Sequence, residues 1–171
     1  MRWPRLNGPS ITAWRGALAV CGAVVLVDQV SKAIVRATLG PGESREVFPG
    51  FDITRARNDG IAFGLFPGRQ AVVAVLTVLA LCGIALAIVG LMHRHRGVAT
   101  GGGLLLGGSI GNLVDRLAHG GVTDFLDPAR WPAFNLADVC IVAGAALIAV
   151  GLVSPDGEAG ARPEEPPWAA R

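Results

Sequence analysis

Four apolar stretches of about 20 residues each, the length a helix needs to cross a ~30 Å hydrocarbon core at 1.5 Å per residue, dominate this chain. They run from Ala17 to Leu39, Ala71 to Met92, Val98 to Leu117 and Phe134 to Val153. The second carries no charged residue at all. The third is rich in glycine (Gly101–Gly103, Gly107, Gly108), which lowers helix propensity but suits close helix–helix packing in lipid. With 51% hydrophobic and 16% charged residues and a mean hydropathy of +0.50, the composition is that of a membrane protein. A net charge of +2 gives no electrostatic footprint for nucleic acid. Arg2, Arg5 and Arg15 precede the first stretch in the manner of a secretory signal. Polar residues Asp28, Gln29, Ser31 and Lys32 interrupt that stretch, and no clean small-residue cleavage site follows, so it reads as a retained span.

Four spans place both termini on one side and the first and third connections on the other. Asp28 is late in span 1, Asn112 and Asp115 are late in span 3, and Asn135 and Asp138 are early in span 4. Asp124 lies in the connection between spans 3 and 4, and the loop 40–69 shares that face. A polar cluster at one membrane surface therefore follows from chain order. An ionised carboxylate near a bilayer centre costs about 2.5–3.5 kcal/mol on insertion scales, so aspartates in apolar segments are functional candidates. Assigned by side, with Arg36 and Arg116 at the span ends included, the arginines divide evenly, seven to a side, and the His93-Arg94-His95-Arg96 turn tips the terminal side towards the cytoplasm.

Local spacing sorts the acids. Asn112 and Asp115 are three residues apart, as are Asn135 and Asp138, so each pair shares a helical face. Asp28 has Lys32 at i+4, suited to an ion pair, and Asp115 is followed by Arg116. Asp124 and Asp138 have no basic residue within four positions. Two such carboxylates brought together in a dry site repel, and one keeps a proton at neutral pH, which is what an acid/base pair for water activation requires. Cys21, Cys82 and Cys140 read as small packing residues without a disulfide, and His93 and His95 in a polar turn with an isolated His119 offer too few ligands for a zinc site. Between spans 1 and 2, residues 45–48 and 51–55 alternate around Pro49-Gly50 and predict a small hairpin. A proton-coupled transporter would also bury aspartates, but would spread them through bilayer depth rather than gather them at one surface.

Five segments in order then resemble one family: Asp28-Gln29-Val30-Ser31-Lys32, Asn58-Asp59-Gly60-Ile61-Ala62-Phe63-Gly64, Gly107–Arg116, Val122-Thr123-Asp124-Phe125 and Phe134-Asn135-Leu136-Ala137-Asp138. Together they look like lipoprotein signal peptidase (signal peptidase II) across roughly residues 15 to 153. The resemblance implies an all-α membrane protein of four transmembrane helices with a small extracytoplasmic β-sheet, the β-cradle, between helices 1 and 2. It implies an aspartic endopeptidase of the bacterial inner membrane, both termini cytoplasmic, that cuts diacylglyceryl-modified prolipoproteins on the N-terminal side of the lipidated cysteine. The catalytic pair maps to Asp124 and Asp138. Asp28, Lys32, Asn58, Gly60, Asn112, Asp115, Arg116 and Asn135 map to supporting, substrate-binding or orienting positions, with Arg116 ordering the loop or holding Asp115. Thr123 and Asp127 stand beside Asp124, placed to tune its environment. No cofactor or metal is implied; the expected partners are the prolipoprotein and membrane lipid, with the chain acting as a monomer. Residues 1–14 are expected to be a cytoplasmic extension, 15–153 the peptidase domain with 40–69 as the cradle loop, and 154–171, Pro-rich and acidic, a disordered cytoplasmic tail.

Overall fold

The computed structural model describes residues 11–59, 75, 78, 79, 82–86 and 96–153. Helix α1 spans Ile11–Thr38, strand β1 Ser44–Phe48, strand β2 Phe51–Asn58, helix α2 Arg96–His119, strand β3 Val122–Pro128 and helix α3 Leu136–Val153. The expected second span, the terminal extension up to residue 10, the acidic tail and Gly60 lie outside the described residues.

The helices are inverted relative to a soluble protein. Leu26, Val30 and Ile34 on α1 and Val142, Val150 and Val153 on α3 are exposed, whereas Asp28, Lys32 and Asp115 are fully buried. Apolar outside and charged inside is the arrangement a lipid solvent selects. Both α1 and α3 have the length and apolarity to cross a bilayer. At 28 residues α1 is about 42 Å long, more than a hydrocarbon core requires, and it begins inside the stretch expected to be an extension.

Helix α2 lies between the other two because its glycines let it. A Cβ at Gly103 or Gly107 would run into the backbone of α1 at Ala17 and Cys21; one at Gly101 or Gly108 would run into α3 at Gly144 and Ala137. Gly111, one turn after Gly107, makes room for the Asp28 carboxylate. The glycines that weaken α2 as an isolated helix are thus what permit its contacts on two sides. Gly108→Val should cost about 2 kcal/mol or more by overpacking against Ala137, read as a lower Tm in detergent micelles.

The hairpin forms about Pro49-Gly50 as its pattern predicts. Gly50 has φ +86°, and the Phe48 and Phe51 rings stack at 5.1 Å across the turn. The expected cradle needs one correction. Its third strand comes from 122–128, read from the sequence as a short connection, so the sheet is not confined to the segment between the first two helices. The order is β1-β2-β3, antiparallel throughout, with Asn58 opposite Val122, Ala56 opposite Asp124 and a bulge between Ile53 and Ala56. Phe125 anchors the sheet against Val35 and Leu39 at the end of α1.

Candidate active site

Alternation along β3 decides where its acid goes. Thr123 and Phe125 face the end of α1, so Asp124 faces the opposite way, towards the start of α3. The chain then turns back: Phe134 bridges to Leu126 through backbone bonds of 2.8 and 2.9 Å, which delivers Asn135 beside Asp124.

Asn135 begins α3 with a reciprocal cap. Its Oδ1 accepts from the Asp138 backbone N–H at 3.1 Å, while Asp138 Oδ2 accepts from the Asn135 N–H at 3.2 Å. This is the capping-box geometry with Asn and Asp in place of the usual pair. Asp28 Oδ1 accepts a further N–H of this turn, from Ala137 at 3.0 Å. The Asn135 side-chain amide has one more role: Nδ2 donates to Asp124 Oδ1 at 2.6 Å. A single residue therefore bonds both aspartates. Asn58 Nδ2, from β2, donates to Asp124 Oδ2 at 3.0 Å, and Asn112 Nδ2, from α2, donates to Asp138 Oδ1 at 2.8 Å.

Behind this pair runs a buried charge network. Lys32 Nζ lies 2.9 Å from Asp28 and 3.7 Å from Asp115, and donates to Asn112 Oδ1 at 2.8 Å. Holding Asn112 by its oxygen aims its amide at Asp138. Asp115 accepts from Arg36 Nη1 at 3.0 Å and from the Thr123 backbone N–H at 2.8 Å, with His119 Nδ1 at 3.6 Å. It therefore ties α1, α2 and β3 together. Arg116 Nη1 donates to Asn112 O at 3.3 Å and the residue lines the cleft, while Arg36 grips Asp115.

Of the residues singled out by sequence, all but Gly60 are described, and the structure joins them in one network from Asp28 to Asn58. Sequence reasoning passed over Arg36 and the side chain of Gln29, which donates to Asp28 at 3.1 Å and Gly111 O at 3.0 Å. The 28/32/36 spacing on one face of α1 was the available signal for Arg36.

The two aspartates open onto a cleft of about 410 Å³, lined also by Asn58, Ser109, Asn112, Arg116 and the apolar Phe134 and Ile141. Asp124 is only 3% exposed. Burial pushes its pKa from 3.8 up to about 6; the bonds from Asn135 and Asn58 hold it down, the nearby Asp138 charge adds to the rise, and Lys32 opposes it. Asp124 thus keeps its proton up to about pH 6, well above an ordinary aspartate. Asn135→Ala removes both the cap and the 2.6 Å bond. We expect a loss of about 1–2 kcal/mol in thermal unfolding and a further upward move of the Asp124 pKa, visible by titration of its carboxyl carbon in NMR.

The signal peptidase (SPase) II family model matches residues 20–154. The chain is 42% identical over 136 residues to the lipoprotein signal peptidase of Pelotomaculum thermopropionicum, covering 79% of this chain and 90% of that protein. It is 40% identical over 141 residues to that of Moorella thermoacetica, covering 82% and 94%. A bacterial membrane enzyme solved by the in meso method at 2.3 Å superposes with a TM-score of 0.72 at 30% identity, over 85% of this chain and 90% of its own. A second, at 1.9 Å, gives 0.71 at 29% identity over 89% and 99%. A match of this extent, over the segments that build the aspartate cleft, places the chain in the signal peptidase II family of membrane peptidases.

Proposed function

We propose that this protein is an intramembrane aspartic endopeptidase that removes the signal peptide of diacylglyceryl-modified prolipoproteins, cutting on the N-terminal side of the lipidated cysteine. The observation that carries the reading is the convergence of Asp124 and Asp138 on one cleft, both bonded by Asn135, with the Asp124 pKa raised to about 6. The names of the relatives support the substrate class.

In this mechanism a water sits between the two carboxyls. Asp138, at the N-terminus of α3 where backbone N–H groups suit an anion, takes the proton of the water as it attacks the scissile carbonyl. Asp124 enters protonated and gives its proton to the carbonyl oxygen, forming a diol; the acid formed on Asp138 then protonates the departing amine, and as the C–N bond breaks one diol hydroxyl returns a proton to Asp124. Asn112 and Asn135 keep both carboxyls oriented. The diacylglyceryl chains stay in the bilayer against exposed apolar helix faces, so the membrane supplies part of the binding. The four-span reading puts both termini in the cytoplasm and the cleft at the extracytoplasmic surface of the inner membrane, and one chain carries the whole site.

The test compares a prolipoprotein with and without its diacylglyceryl group as substrate for the purified protein, with products mapped by mass spectrometry. We expect cleavage of the modified form only, leaving the modified cysteine as the new N-terminus. Equal cutting of the unmodified precursor, or a cut elsewhere, would overturn the substrate assignment.

A further inference from the structure

The face of the sheet opposite Asp124 carries a second cavity, of about 510 Å³, which the peptidase chemistry leaves unused. Strand alternation makes it: Asn58 and Asp124 face the aspartate cleft, so Arg57 and Thr123 face this one. Arg36, Arg55, Arg57 and His119 line it, contributed by α1, β2 and α2.

The charges there do not cancel. Arg36 and Lys32 are matched by Asp115 and Asp28, and Arg57 by Asp59 at 2.6 Å. Arg55 donates through Nη1 to the carbonyls of Arg36 at 3.1 Å and Leu39 at 2.9 Å, closing the end of α1. No carboxylate among the described residues pairs with it. Those bonds fix the guanidinium without neutralising it, and its other nitrogens remain for a ligand. Position matters as much as charge. Ile34 and Leu117, 57% and 72% exposed, present apolar surface within one turn of Arg36 and His119. The cavity therefore lies just beyond the lipid-facing segments of two helices, at the level of phospholipid headgroups.

We propose that this cavity binds the phosphodiester headgroup of an anionic phospholipid, separately from the substrate lipid in the aspartate cleft. Planar, forked guanidinium donors match phosphate oxygens, and the acyl chains remain in the bilayer. Occupation would link β2 and β3 to the ends of α1 and α2 through a lipid, bracing from behind the sheet that holds Asp124. The site does not depend on the aspartate chemistry.

The test is native mass spectrometry of the full chain released from zwitterionic detergent micelles and titrated with phosphatidylglycerol, with phosphatidylcholine of the same acyl chains, and with glycerol phosphate. The expected result is retention of phosphatidylglycerol over phosphatidylcholine, little retention of glycerol phosphate, and a loss of about ten-fold in phosphatidylglycerol affinity in an Arg55→Gln/Arg57→Gln variant. Arg57→Gln alone, at a side chain 60% exposed, shows the same direction if the double variant misfolds. Equal retention of the two phospholipids, unchanged retention in the folded variant, or glycerol phosphate binding as tightly as the lipid would each overturn the proposal.

Discussion

Asp124→Asn is expected to lower cleavage by about 10³-fold or more while the protein remains folded in the membrane. The substitution keeps the shape of the side chain but removes the proton that the carbonyl oxygen needs. It also removes a buried carboxyl whose charge is disfavoured, which offsets the donor that Asn135 or Asn58 loses as a partner. The pH dependence of stability gives an independent readout. The folded pKa of about 6 lies above the ordinary 3.8, so between those values the unfolded chain releases this proton before the folded one does. The stability contributed by protonated Asp124 is full below about pH 4 and is lost as pH rises towards 6, by about 3 kcal/mol. In Asp124→Asn that slope should be absent. Activity should fall on the alkaline side as the pair loses its shared proton, with an apparent pKa at or above about 6, since substrate entry expels water and raises it further. Substantial cleavage by a folded Asp124→Asn variant would remove Asp124 from the chemistry.

Lys32→Met is expected to be the most damaging substitution for the fold. Lys32 is fully buried, and its ammonium group contacts Asp28, Asp115 and the Asn112 oxygen, all themselves buried. Methionine fills much of the same volume but leaves two carboxylates with too little positive charge, a loss of about 3–5 kcal/mol. The protein should then unfold roughly 6–20 °C lower or fail to accumulate. Adding Asp28→Asn to Lys32→Met should recover part of that loss, because it deletes one of the unbalanced charges; thermal unfolding of the four proteins of this cycle measures the coupling. A cost under about 1 kcal/mol for Lys32→Met would mean that the network is not electrostatically tight.

The helical part of the site was legible because its signals are local. Asp28 and Lys32 at i+4 announce an ion pair from spacing alone, and it forms; Asn135 and Asp138 at i+3, read as one helical face, instead cap each other at the start of α3. The hairpin about Pro49-Gly50 was legible for the same reason. β3 was not. Val122–Pro128 is short, its first four residues are buried whatever their polarity, and its partner β2 lies some 70 residues earlier, so no local pattern marks it as a strand. That strand matters most for Asp124, because its alternation sends the carboxyl to the cleft and Thr123 to the arginine cavity. The partnership of Arg36 with Asp115, 79 residues apart, was likewise hidden in a count of charges by side. Helix α1 starts at Ile11 rather than where apolarity begins, since helical hydrogen bonding continues through Trp14 and Arg15 beyond the lipid-facing run.

The most direct test of the central claim, that two aspartates alone activate the water, is cleavage of a diacylglyceryl-modified precursor by purified, detergent-solubilised protein after exhaustive treatment with a metal chelator. The account predicts an unchanged rate. A rate that collapses under chelation and returns on adding a divalent metal would contradict it.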